Sequence, residues 1–285
     1  VATDTAVLIP FAGTDPDRTA AYHHIAQRLT DAGIPVVTGT APAEPWCKAD
    51  AVDDALTRTD AEILVIHDAD VWSDGTLEAI AHVEAGAPWA VPHRLVRRLD
   101  ANATAQIHRG TTTYSTELRL DRKPYYGHAG GGITVLRRST YESCPLDPRY
   151  TGWGQEDDAW ALALTTLHGK PWRGTAHLWH HWHAPQERRD SFVGSDASEA
   201  LYARYLAANG HPDAMRVLIG EARYHHYRSR HVAGFAAADL RPYLDAVESS
   251  CRELAAGTQL PADLVDGMLT APTSADVLTA SRSDQ

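Results

Sequence analysis

Glu62-Ile63-Leu64-Val65-Ile66-His67-Asp68-Ala69-Asp70 is the stretch that decides the fold. Four consecutive apolar residues followed by a histidine and two acids read as a strand buried on both faces that ends at a polar edge. Upstream, Ala6-Val7-Leu8-Ile9-Pro10 and Ile34-Pro35-Val36-Val37-Thr38 read the same way, and downstream so does Trp89-Ala90-Val91-Pro92. Helical signals separate them. Pro16 fits a first helical position, Ala21, Ile25 and Leu29 recur on one face, and Gly33 follows as a stop. A second helix is expected over about 49–59, and a third, with Ser73 as its cap, to about Glu84. Strands alternating with helices predict βαβ units. The expected class is therefore α/β, a mixed and mostly parallel central sheet flanked by helices, with a helical C-terminal appendage.

The pattern loosens after Arg94, and residues 95–127, rich in Thr, Arg and Tyr, carry no clear period. Ile133-Thr134-Val135-Leu136 predicts a strand, Asp157 to His168 a helix with Trp160, Ala163, Leu164 and Leu167 on one face, and Thr175 to His183 a last strand. From Asp196 the chain reads as helices over 196–208, 212–229, 238–255 and 262–269. Ala222 to His231 forms a basic-aromatic patch whose plain reading is a solvated helix face. The division expected is 1–190 as the α/β body, 191–271 as the appendage and 272–285 as a frayed tail.

The chain has 285 residues, with 26 Lys+Arg and 37 Asp+Glu, so its formal charge is 26 − 37 = −11. That balance argues against general nucleic-acid binding, which needs Lys and Arg to displace counterions. No apolar run approaches the ~20 residues of a membrane span, and no export signal is read at the start of the sequence. Cys47, Cys144 and Cys251 are scattered and odd in number, which fits neither a disulfide framework nor a CxxC metal site; a reduced, cytoplasmic setting is expected.

Four segments can carry chemistry. Asp68 and Asp70 leave the end of the third strand, where open α/β sheets bind ligands, and paired carboxylates suit Mg²⁺ or Mn²⁺; the plain alternative is a solvated turn. His128-Ala129-Gly130-Gly131-Gly132 lets a substrate approach the backbone closely, or is only a flexible turn. Thr151-Gly152-Trp153-Gly154-Gln155-Glu156-Asp157-Asp158 sets three acids in a first helical turn, where the helix dipole favours them in any case. Trp153 beside them offers a sugar-stacking plane, and a carboxylate there can take a proton from an attacking hydroxyl. His177-Leu178-Trp179-His180-His181-Trp182-His183 concentrates imidazoles, of which one or two are expected to bind metal. In an ideal strand His177, His181 and His183 share a face and His180 opposes them, so several can reach one ion only if the strand bends.

In this order the segments resemble the GT-A class of nucleotide-sugar glycosyltransferases, nearest to the family 2 and galactosyltransferase-like branch with its DxD and WGxEDD motifs. The likeness covers roughly residues 5–186. It implies a metal-dependent, inverting hexosyltransferase using Mn²⁺ or Mg²⁺, a UDP-hexose or UDP-N-acetylhexosamine donor and a carbohydrate or other hydroxyl-bearing acceptor. By the same likeness Asp70 with His183 or His180 would hold the metal, Asp157 would be the base, and Glu156 would act beside it. Pro10, Phe11, Lys48, Asp68, Gly131 and Gly132 would line the donor, and Trp153 and Asp158 the acceptor. Two metal registers fit, His177/His180 and His180/His183. Thr151 and Gln155 depart from the motif, which has an aromatic residue and a second glycine there, and the basic residue expected after Pro10-Phe11 is missing, with its substitution by Arg18 left open. The rival readings are a nucleotide-sugar-forming nucleotidyltransferase, opposed by the acidic loop after the first strand, a metal-dependent hydrolase using the histidines, and a noncatalytic sugar-binding protein.

Overall fold

A computed structural model describes residues 4–13, 15–42, 46–152, 154–184 and 196–231. By its contacts the chain divides into two compact units, Val1–Ile219 and Gly220–Gln285. The expected helices at 238–255 and 262–269, the tail, Cys251 and Trp153 lie outside the described residues.

The first unit is built on one eight-stranded sheet. In chain order its elements begin with β1 (Thr5–Pro10), α1 (Pro16–Asp31), β2 (Val36–Gly39), α2 (Lys48–Leu56) and β3 (Ile63–His67). There follow β4 (Val71–Trp72), α3 (Thr76–Glu84), β5 (Trp89–Arg98), α4 (Ala101–His108), β6 (Tyr125–Tyr126), β7 (Ile133–Arg137) and α5 (Arg138–Ser143). The last are α6 (Glu156–His168), β8 (Trp172–His180), α7 (Asp196–Ala208) and α8 (Pro212–His231), which continues past Ile219. The strand order is β2-β1-β3-β7-β5-β8-β4, with β6 on β5. β1, β2, β3, β5 and β8 run in one direction, and β4, β6 and β7 oppose them. The α/β reading with a mixed, mostly parallel sheet therefore holds.

The apolar strands explain the layering. Successive residues of a strand face opposite sides, so Ala6 and Leu8 of β1 join one core with Leu64 and Ile66 of β3, while Val7 and Ile9 join the other with Ile63 and Val65. Residues of α2, α6 and α7 pack in the first core, and residues of α1 and α3 in the second. The expected α6 face is confirmed: Trp160, Ala163 and Leu164 are buried and Leu167 packs beside them.

Several local expectations change. Ser73 is not the cap of α3; Gly75 precedes that helix, and Ser73 instead accepts from Gly75 N and Thr76 Oγ1 in the turn before it. The stretch without a clear period contains the end of β5, all of α4 and β6; Asp100 caps α4 by accepting from Ala103 N. β8 ends at His180, three residues earlier than expected, because its partner β4 offers only two residues, Val71 and Trp72. No described helix is long and apolar enough to cross a membrane.

Candidate functional site

The topology creates the site. β3 lies in the middle of the sheet and β4 at its far margin, so residues 68–70 carry the chain across the ends of the strands between them. β7 runs against β3, with His67 opposite Ile133, which brings the amino end of β7 and its glycines to the carboxyl end of β3. Asp68 N donates to Gly132 O at 2.8 Å, and Gly132 N donates to Asp68 Oδ2 at 3.1 Å. β8 delivers the histidines to the same edge, since His180 is in register with Val71 and His181 N donates to Asp70 O.

Asp68 faces an acid-lysine cluster. Lys48, the first residue of α2, places Nζ 2.8 Å from Asp68 Oδ1 and 2.7 Å from Asp157 Oδ1. Asp157 sits in the first turn of α6, packed on the glycine loop: a Cβ on Gly130 would lie 1.9 Å from Asp157 O, and one on Gly131 would lie 3.0 Å from Asp157 Oδ2. At 130 only a glycine admits this approach, since the atom met is backbone. Burial raises the proton affinity of Asp157, Lys48 opposes it, and Glu156 and Asp68 add to the rise, leaving its pKa at about 7. Lys48 stays charged: burial opposes the ammonium, but Asp157, Asp68 and Glu156 outweigh it. Glu156 Oε2 accepts from Gly154 N, and Asp158 Oδ1 lies 2.8 Å from Nδ1 of the exposed His128.

Asp70 faces the histidines. Ligand atoms of Asp70, His180 and His183 all lie within 4.8 Å of one another. Asp70 Oδ2 is 3.5 Å from His183 Nε2, and Oδ1 is 4.0 Å from His180 Nε2. The premature end of β8 is the bend that this grouping requires, so strand parity does not govern residues 181–183. The His180/His183 register is the one the structure brings to Asp70; His177 remains inside β8, edge-on to Trp179. His181 turns away, fully buried, with Nδ1 2.9 Å from His108 Nε2 and Nε2 2.7 Å from Tyr114 Oη.

The donor set fits a divalent transition metal. The Nδ1 atoms of His180 and His183 lie 2.7 and 2.8 Å from the carbonyls of His181 and Ala184. A carbonyl only accepts, so each Nδ1 carries the hydrogen and each Nε2 keeps its lone pair toward Asp70. Burial lowers His180 to about 4 despite the pull of Asp70, so its imidazole is neutral at pH 7. Burial also works against ionising Asp70, but His180, Arg18 and His183 outweigh it and hold the carboxyl at about 2. One carboxylate and two imidazoles form a set that suits Mn²⁺ among other ions.

Of the remaining candidates, Pro10 ends β1 in register with Gly39, and Phe11 stacks on Tyr22 with ring centroids 4.3 Å apart. Sequence reasoning gave Arg18 no part in the metal cluster. Its Nε lies 3.3 Å from Asp70 Oδ2, and one of its terminal nitrogens lies 3.5 Å from His183 Nε2. The available signal was its place in the first turn of α1, fixed by Asp15 Oδ1 accepting from Arg18 N, just beyond a strand end.

No protein-family profile and no curated protein matches the chain. Among solved structures, GalNAc-T7 with UDP, GalNAc and Mn²⁺ is 12% identical with a TM-score of 0.45, covering 86% of this chain and 55% of that one. The chain thus spans little more than half of that protein. A Drosophila β1,4-galactosyltransferase 7 mutant with manganese, UDP-Gal and xylobiose is 13% identical, TM-score 0.32, covering 67% of this chain and 69% of that one. Glucosyl-3-phosphoglycerate synthase from Mycobacterium tuberculosis, with Mn²⁺, UDP and glucosyl-3-phosphoglycerate, is 14% identical, TM-score 0.37, covering 72% and 79%.

Proposed function

We propose that the chain is a metal-dependent, inverting glycosyltransferase that moves a hexose or N-acetylhexosamine from a nucleoside-diphosphate donor to an acceptor hydroxyl. The observation that carries this reading is Lys48, whose ammonium joins Asp68, from the turn after β3, to Asp157, from the start of α6. Through that bridge the segment holding Asp70 and the segment holding Asp157 share one sheet edge.

Asp70, His180 and His183 would hold Mn²⁺, which when bound neutralises charge on the leaving diphosphate as a Lewis acid. Asp68, fixed by Gly132 N and Lys48, orients the donor. Gly131 and Gly132 admit the sugar close to the backbone. Asp157 takes the acceptor hydroxyl proton on its carboxylate, and a pKa near the working pH suits a general base. The acceptor oxygen then attacks the anomeric carbon as the bond to the diphosphate breaks, on the opposite face, so the configuration inverts. Glu156 raises the basicity of Asp157, and Asp158 with Trp153 would receive the acceptor.

The test is a panel of nucleotide sugars with Mn²⁺, read by thermal shift and by release of nucleoside diphosphate. A UDP-sugar should stabilise the protein and turn over. In Asp157→Asn turnover should fall about 10²–10⁴-fold with donor affinity kept. Near-full turnover in that variant would remove Asp157 from the role of base, and failure of every nucleotide sugar to bind would remove the donor class.

A further inference from the structure

The metal cluster already contains a cation. Arg18 touches Asp70 Oδ2 and His183 Nε2, atoms of two of the three residues that could hold a divalent ion. A guanidinium has only donors and does not lose its proton in proteins, so it cannot itself coordinate a metal. It stands against the same atoms as an ionic contact instead. The carboxylate it meets is buried, and the Arg18 side chain is about two-thirds covered (32% exposed). Arg18 Nε is also buried, and its N–H is aligned with no acceptor among the described residues, which leaves donor capacity for another anion.

We propose that Arg18 is a resident counter-ion of this site: it neutralises Asp70 while no divalent ion is present, moves off that carboxylate when the ion binds, and then pairs with the diphosphate that arrives with the ion. This rests on the glycosyltransferase reading of the same site and extends it to the order and coupling of ligand binding. Formal charges carry the idea. Asp70 and Arg18 carry opposite formal charges and cancel. Adding a doubly positive ion alone leaves an excess of two positive charges around a buried carboxylate. Adding the ion together with a doubly negative nucleotide-sugar diphosphate restores neutrality. Like charges held a few ångström apart away from bulk water repel by amounts that shift binding constants by orders of magnitude. The site therefore refuses a bare ion and accepts an ion that brings a diphosphate, and Arg18 sets that preference.

The experiment measures Mn²⁺ binding to the full chain by electron paramagnetic resonance, with and without saturating UDP, in the unaltered protein and in Arg18→Met, Arg18→Lys and Asp70→Asn. In the unaltered protein UDP should tighten Mn²⁺ binding by a factor in the range of about 5–150, and by linkage Mn²⁺ should tighten UDP binding equally. Arg18→Met keeps the aliphatic stem and removes the charge. It should bind Mn²⁺ alone about tenfold more tightly, bind UDP with Mn²⁺ more weakly, and lose most of the coupling. Arg18→Lys should keep most of it. Unchanged or weaker binding of bare Mn²⁺ to Arg18→Met, or undiminished coupling, would overturn the proposal. Asp70→Asn separates the two readings: if it leaves Mn²⁺ binding intact, the metal site itself lies elsewhere.

Discussion

Asp68 and Asp70 stand two residues apart in one turn, yet they belong to different halves of the site. Each half has its own resident base. Asp68 shares Lys48 with Asp157 in a partly buried half, its carboxylates about 30% exposed. Asp70 meets Arg18 among His180 and His183 in a half where the ligand side chains are 8–13% exposed. The bases also differ in kind. Lys48 is a compact charge bonded to two carboxylates at 2.7 and 2.8 Å, a pinned bridge. Arg18 is a looser contact at 3.3 Å, placed where another cation can supplant it. The difference teaches that one half is arranged to hold its acids in place and the other to exchange its counter-ion.

The largest effect should come from Asp70→Ala. It removes the sole carboxylate of the cluster, so Mn²⁺ binding should vanish in a resonance titration and turnover should fall on the order of 10³-fold or more, the equivalent of several kcal/mol of lost charge stabilisation. Retained Mn²⁺ affinity would erase the distinction between the halves. Lys48→Met should leave Mn²⁺ binding intact but set Asp68 and Asp157 against each other without their bridge. A loss of about 1.5–3 kcal/mol in urea unfolding at pH 8 is expected, the range for hydrogen bonds to charged groups. With Lys48 gone the proton affinity of Asp157 rises further, so the acid limb of the activity profile should move upward from its position near 7.

pH separates the halves by sign. The Asp157 pKa is raised on folding, so its contribution to stability is present below the ordinary carboxyl value near 3.8 and is lost as pH rises toward about 7. The Asp70 pKa is depressed, so its contribution is present above 3.8 and is lost as pH falls toward about 2. In metal-free protein, Asp157→Asn should therefore gain stability relative to the unaltered chain between pH 4 and pH 8. Asp70→Asn should be the less stable protein at pH 7 and should converge with it near pH 2. Thermal unfolding across that range measures both, and slopes of the same sign would mean that the two acids sit in equivalent surroundings.

The layers were legible because their signals are local. Ile63 to Ile66 read as a strand covered on both faces, and Trp160, Ala163 and Leu164 as a helix face on a core. The acids were legible as residue types that a sheet edge collects. The bend after His180 was not, because it follows from the two-residue length of β4, a pairing between segments about a hundred residues apart. Arg18 was legible only as a candidate basic residue after the first strand; its contact with Asp70 and His183 depends on the rotation of α1 above the sheet, which periodicity alone does not give. Residues 95–127 escaped because α4 is short, and in β6 both tyrosines are exposed, so neither buries a face long enough to imprint a period.

The smallest effect concerns the residue where the chain departs from the glycine-rich motif. Gln155 is the one described non-glycine residue with positive φ, 68°, in the left-handed region directly before α6. A side chain there costs about 1–2 kcal/mol, and Gln155 Oε1 is buried without a hydrogen-bond partner among the described residues. Glycine would relieve both, at about 0.5–1 kcal/mol for the added freedom of the unfolded chain. Gln155→Gly should thus raise stability by about 0.5–1 kcal/mol in denaturant unfolding. The turn conformation, and with it the placement of Asp157 on Gly130 and Gly131, should be kept, so turnover should stay within about twofold. A destabilised Gln155→Gly would mean that the glutamine side chain itself anchors the start of α6. The half of the site around Lys48 would then be held from the helix side as well as by its ammonium bridge.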